Sequence, residues 1–181
     1  AGTKIGFDAT ERVRGEETGD VGLEPPRLPD EAQCRAAVEA GAGLPDAGLG
    51  RLAVVHAGGD TAHSGIEAIE AFWNRIGTES PAGEFVIAVD DDVRLDDLED
   101  TFFRWLANAD PARDRVQRGP RIGFDARRKT PGRDDRDGVP VRDYPPLVSM
   151  SPEIVDRVDA RWHEYGFKGD PEPSRFAVRG R

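Results

Sequence analysis

Leu52-Ala53-Val54-Val55-His56 and Phe85-Val86-Ile87-Ala88-Val89 are the two stretches that decide the fold. Each is an apolar run of strand length without polar alternation, the pattern of a strand covered on both faces. The first runs into the turn His56-Ala57-Gly58-Gly59-Asp60, the second into Asp90-Asp91-Asp92. Between them Ile66, Ile69, Phe72 or Trp73, and Ile76 recur at helical spacing, from a start near Thr61 to a stop at Gly77. Strand, helix and strand in this order predict a βαβ unit with a parallel pair and a right-handed crossover.

Working outward, a second helix is predicted over Leu95 to Ala109, with Leu95, Leu98, Phe102, Trp105 and Leu106 on one face. Asp96, Asp97 and Glu99 sit where the helix dipole is positive, and Asp110-Pro111 ends the helix. Arg121 to Ala126 reads as a further strand and nearly copies Lys4 to Ala9. A repeat this short does not make a solenoid; equivalent edge strands, a local duplication and coincidence all account for it. Ile5 and Phe7 predict a short first strand, Glu11 to Pro29 a Pro/Gly-rich arm, and Asp30 the cap of a helix over Glu31 to Ala40. The charged loop Arg127 to Asp143 is expected on the surface. Ser151 and Pro152 open a last helix carrying Val155, Val158, Trp162 and Tyr165, stopped by Gly166. The class is therefore α/β: a βαβ-containing sheet with flanking helices, long loops and a C-terminal helix with an extended tail. Its expected organisation is an N-terminal strand, arm and short helix over 1–50, an α/β domain over 51–167 and a tail over 168–181.

The 181 residues carry a formal charge of −10, which argues against nucleic acid as a partner because phosphate neutralisation needs a basic face. Only 37% of residues are hydrophobic and 33% are charged, so the core is modest and a partner surface is expected. A single cysteine, Cys34, excludes an internal disulfide and a cysteine-rich metal module, and reads as a small packed residue. No apolar run approaches the roughly 18 residues of a membrane span, and the first residues lack a signal-peptide core. A cytoplasmic protein is expected.

His56, Gly58, Gly59, Asp60 and His63 cluster at the carboxyl end of the first buried strand, where open α/β sheets take ligands. The glycines can offer N–H groups to an anion and His63 can add a donor. The same residues also make an ordinary strand-to-helix turn, since neither GxGxxG nor Gly-Lys-Ser/Thr is present. A metal held by His56, Asp60 and His63 is sterically feasible but lacks the HExxH spacing. Asp90, Asp91, Asp92, Asp96, Asp97 and Asp100 read either as a divalent-cation set or as a strand end followed by a carboxylate-rich helix turn. Asp125, Arg127, Arg128 and Lys129 suit an anionic ligand or interface salt bridges equally. No acid/base pair or nucleophilic triad stands out, so no catalytic residue and no metal ligand is assigned. Substrate or partner contact is assigned to His56, Gly58, Gly59, Asp60, His63, Asp125, Arg127 and Lys129.

Several stretches taken together resemble one family. Phe85 to Val93, Asp97-Leu98-Glu99-Asp100, Trp105-Leu106 and Asp110-Pro111-Ala112-Arg113-Asp114, followed by Ile122 to Lys129, Tyr144-Pro145-Pro146-Leu147 and Val158 to Phe167, are similar in content and order to the C-terminal domain of UbiD-type decarboxylases. Leu52 to Ile76 fits the preceding strand and helix, so the resemblance spans roughly Arg51 to Phe167. The resemblance implies non-oxidative, reversible decarboxylation of aromatic or α,β-unsaturated acids with prenylated FMN. In that family the flavin, its metal ions and a Glu-Arg-Glu catalytic set lie in a larger preceding domain, and none of that set matches a position here. The expectation is a small subunit of a split decarboxylase. It would supply the C-terminal domain to a larger catalytic chain that holds the prenylated FMN and metal ions, within a hetero-oligomer. A stand-alone interaction or regulatory module is the alternative, and an enzyme working alone at the turn from His56 to His63 is a third reading.

Overall fold

The computed structural model describes residues 27–46, 50–59, 61–77, 80–143 and 150–171. Contacts divide the chain into two units, residues 1–142 and 143–181. The predicted strand over the first ten residues, most of the arm, Tyr144 to Leu147 and the end of the tail lie outside the described residues.

The first unit runs α1 (Glu31–Glu39), β1 (Leu52–His56), α2 (Ser64–Ile76), β2 (Phe85–Val89), α3 (Leu98–Asn108), β3 (Arg115–Arg118) and β4 (Arg121–Asp125). The sheet order is β1-β2-β4-β3. β1 pairs parallel with β2, Leu52 opposite Phe85 and His56 opposite Val89, which is the predicted βαβ unit. β4 continues the parallel sheet, with Ala88 opposite Asp125, whereas β3 pairs antiparallel with β4.

Burial on both faces explains why β1 and β2 show no polar alternation. Ala53, Val55, Val86 and Ala88 face a core completed by Ile69, Phe72 and Trp73 of α2. Their alternates Leu52, Val54, Ile87 and Val89 join Phe124 and Trp105 in the core under α3. Ile69 and Phe72 each contribute about 1.5–3 kcal/mol by burial. Small residues on the α2 side let the helix approach: a Cβ on Gly123 would lie 2.7 Å from Ile69 Cγ2. Trp73 is fully buried, and its indole N–H donates to Gly83 O at 2.9 Å, so the polar edge of the ring is not stranded. On the other face Trp105 meets Phe85 and Phe124 with ring centroids 5.1 and 5.2 Å apart.

Local chemistry sets the helix ends. Asp30 and Gln33 form a reciprocal capping box at α1, and Ala37 of that helix enters the α2-side core. The start expected at Leu95 is corrected to Leu98, because Asp97 is the N-cap and accepts from Asp100 N at 3.0 Å. α2 begins at Ser64 rather than near Thr61; its N-cap is His63, whose side chain makes no capping bond. Leu106, expected on the buried face of α3, is 71% exposed.

The loop from Arg127 to Asp143 differs most from expectation. Arg127, Lys129, Asp134 and Val141 within it are buried. Both sheet edges are occupied or short: Gly43 exchanges two backbone hydrogen bonds of 2.9 Å with Val54 of β1, and β3 is four residues long with Arg115 and Arg118 at its ends.

The second unit contains α4 (Pro152–Ala160), with Ser151 before it and Pro152 opening it as predicted. At Arg161 the helix gives way to a 3-10 turn over Trp162–Tyr165, so the expected stripe is split between two helical pitches, and Gly166 ends it in the left-handed region. Trp162 and Phe167 stack at 4.5 Å. Among the described residues no helix is long and apolar enough to cross a membrane.

Candidate functional site

The carboxyl ends of the parallel strands hold a group of buried charges. Arg113, Arg127 and Lys129 are balanced there by Asp114, Asp125 and Asp134, all six buried. Asp125, the last residue of β4, lies against the start of α2, where a Cβ on residue 65 would sit 2.1 Å from its Cγ. Only glycine at position 65 lets the carboxylate and the helix share that space.

Arg127 takes the Asp125 carboxylate in a fork: Nε donates to Oδ1 at 3.0 Å and Nη2 to Oδ2 at 2.8 Å. The remaining donors of the same guanidinium reach back to β1–α2, Nη2 to Thr61 O at 3.2 Å and Nη1 to Gly59 O at 3.5 Å. Lys129 Nζ donates to Asp125 O at 2.6 Å and Arg127 O at 3.0 Å, and stands 3.6 and 3.7 Å from the Asp125 and Asp114 carboxylates. Arg113 Nη2 donates to Asp114 Oδ2 at 2.7 Å. Asp134 Oδ2 accepts from Thr130 N at 2.5 Å and from Arg133 Nη2 at 2.9 Å.

The charges tune one another. Burial pushes Lys129 below the ordinary lysine value, against the pull of Asp125 and Asp114. Burial also opposes the charge of Arg127, but the Asp125 hydrogen bond and charge outweigh it and raise its pKa. Asp134 is likewise opposed by burial, yet Arg133 and Thr130 N hold its carboxyl below the usual carboxylate value.

Two residue sets that the sequence offers separately thus meet, because Arg127, just past the repeated segment of β4, spans to the Gly-rich turn. Asp125, Arg127 and Lys129 are buried with internal partners, whereas His56, Gly58, Gly59 and His63 are exposed. Asp60 lies outside the described residues. The two histidines have different partners. His56 Nε2 lies 2.8 Å from Val93 O, a pure acceptor, so this nitrogen carries the proton. His63 Nδ1 lies 3.3 Å from Arg136 Nη1 and accepts from it. Asp114, Arg113, Asp134 and Arg136 are not assigned from the sequence: Arg113 and Asp114 stand in a block that resembles the family, and Asp134 and Arg136 show only a charge density that is equally that of a solvated loop.

The acidic run after β2 is answered by cations of the chain itself. Asp90 Oδ2 accepts from Arg128 N at 2.8 Å, and burial raises its pKa. Asp92 Oδ2 is 2.7 Å from Arg128 Nη2 and 3.5 Å from Arg104 Nη2. Among the described residues no group of three or more His, Cys, Asp or Glu is placed to hold a metal ion. At the opposite, amino end of the strands lies an open groove of about 360 Å³, lined by Leu52, Phe85, Pro120 and Ile122 beside the Arg51–Glu84 ion pair. Among the described residues neither end of the sheet gathers the ligand set that a metal ion needs.

The sequence model of the family described as the 3-octaprenyl-4-hydroxybenzoate carboxy-lyase C-terminal domain matches residues 29–130, more than half of the chain. The chain belongs to this family. The match to the carboxy-lyase C-terminal domain takes in α1 through β4 and ends just past Lys129, so it includes most of the buried charge group. It also begins well before Arg51, where the resemblance in sequence starts. Among solved structures, an evolved dimeric form of the UbiD-class enzyme HmfF from Pelotomaculum thermopropionicum, in complex with prFMN, is similar at 19% identity and a TM-score of 0.43. That similarity covers 55% of this chain and 25% of the other, so the matched part spans about a quarter of that enzyme's length.

Proposed function

We propose that this chain is the small subunit of a split UbiD-like carboxy-lyase. It docks on a larger catalytic chain that holds prenylated FMN with its metal ions, and the complex acts non-oxidatively, in the cytoplasm, on an aromatic or α,β-unsaturated carboxylic acid. Membership of the carboxy-lyase C-terminal domain family supports this reading. The observation that carries it is the carboxyl-end arrangement, in which buried charges, Arg127 forked on Asp125 among them, stand behind an exposed turn of Gly58, Gly59 and His63. A surface this small and fixed in backbone suits contact with another protein domain. Closure of the domain over the catalytic cleft excludes water and orients the acid, while the acid/base chemistry belongs to the larger chain.

Native mass spectrometry of the protein purified from its source without over-expression tests this. The expected result is a complex of the chain with a larger one, carrying the mass of a modified flavin. A bare monomer or homo-oligomer without flavin overturns the reading in favour of a stand-alone module of the same fold. A single denatured polypeptide heavier than these 181 residues that contains this sequence replaces the split subunit with one longer enzyme.

A further inference from the structure

We propose that Arg127 is a positioning residue: its guanidinium, oriented by Asp125, sets the path of the turn between β1 and α2. It thereby sets the shape of the surface offered to the catalytic chain, a role that rests on the docking reading above. Arg127 does not itself reach a partner, because its side chain is 5% exposed and its donors point inward. Two of its hydrogen bonds fix the fork on Asp125, and the others run to the carbonyls of Gly59 and Thr61.

The turn needs such a tether. Gly58 and Gly59 are adjacent, and Gly59 sits at φ +109°, so the chain there loses more conformational entropy on ordering than any other pair would. The helix that follows receives no side-chain cap from His63; at its start the Thr61 and Ser64 side chains are 3.0 Å apart and Thr61 N donates to Ser64 Oγ at 3.1 Å. The other end of the tether is rigid. Gly65 leaves the Asp125 carboxylate no room to shift toward α2, and Lys129 holds the backbone carbonyls of both Asp125 and Arg127. A lysine at 127 would keep the charge but not the planar fork that serves carboxylate and carbonyls together.

Amide hydrogen exchange on the full chain carrying Arg127→Lys tests the assignment, with the His63 ring resonance as a second readout. The amides of Thr61 and Ser64, which are hydrogen-bonded to each other's residue across the turn, are expected to exchange about tenfold faster or more, as for loss of one charged hydrogen bond. The His63 signal is expected to move, and amides of β1 and β2 to change by less than about twofold. Turn amides as protected as in the parent overturn the proposal, and so does exchange rising evenly through the sheet, the mark of a merely structural ion pair. If Arg127→Lys does not fold, Asp125→Asn combined with Arg127→Met removes both buried charges together and is read by the same two outcomes. Failure of the docking reading would appear instead as absence of a larger chain in the native complex, and would leave this exchange pattern unchanged.

Discussion

The two ends of the parallel sheet solve opposite problems. At the carboxyl end three cations and three carboxylates are buried together, while at the amino end Leu52, Phe85 and Ile122 line an open groove beside a half-exposed ion pair. Burying charge is expensive, and replacing such a cluster by apolar residues is often neutral or stabilising. What charges at the carboxyl end supply is geometry, since guanidinium and carboxylate accept few arrangements. The comparison teaches that the carboxyl end commits opposite charges to one another, whereas the amino end, where buried Arg121 is held by the carbonyls of Gly77 and Ser80, leaves an apolar strip open.

Substitutions at the two ends should therefore differ in size. The largest effect is expected for Asp125→Ala, which leaves Arg127 and Lys129 buried without their shared carboxylate: about 3–5 kcal/mol lost, read from the urea midpoint at pH 7. An effect below about 1 kcal/mol would erase the contrast between the ends. Gly65→Ala follows, at about 3 kcal/mol, because its methyl group would overlap the Asp125 carboxylate and α2 must lift from β4.

A pH titration sharpens the same contrast. The pKa of Asp134 is lowered on folding, so its carboxylate stabilises the fold above the ordinary value near 3.8, and that contribution is lost as pH falls through the folded-state value. Asp134→Asn should flatten the acid limb of the stability profile, measured by thermal melts in steps below pH 5; an unchanged limb would reassign acid sensitivity elsewhere. At the amino end, Glu84→Gln should cost less than about 1 kcal/mol because the Arg51 pair is partly exposed. The smallest effect is expected for Gly58→Ala. Nothing lies within 4 Å of the added carbon and the backbone there is ordinary for any residue, so the melting profile should stay within about 0.5 kcal/mol of the parent. Titration of that variant against the proposed catalytic chain would then report surface contact alone.

Apolar continuity and helix punctuation were the readable parts of this fold. The βαβ core follows from Leu52–Val55, Phe85–Val89 and the stripe of α2, because residues buried on both faces have little choice of type. The starts of α1 and α4 are legible because their signals are local: Asp30 caps through its side chain, and Pro152 suits the first helical position although Ser151 makes no capping bond. β3 was not, since Arg115-Val116-Gln117-Arg118 at a sheet edge buries almost nothing. The candidate site was half legible. The Gly-rich turn and the Asp125–Lys129 segment each stood out, but their union depends on one arginine side chain crossing between residues distant in sequence. The buried part of the loop after Arg127 is not legible because a charged segment is normally a solvated one, and only the pairing in space of Asp114 with Arg113 and Lys129, and of Asp134 with Arg133, reverses that rule.

The sheet's edges carry a consequence for how the protein can assemble. On one side the strand backbone already exchanges hydrogen bonds with Gly43, and on the other the outermost strand is short and ends in two arginines. Among the described residues neither side offers the long, uncharged ladder of free amides that a foreign strand would need, so strand-by-strand stacking into fibres is disfavoured at these edges.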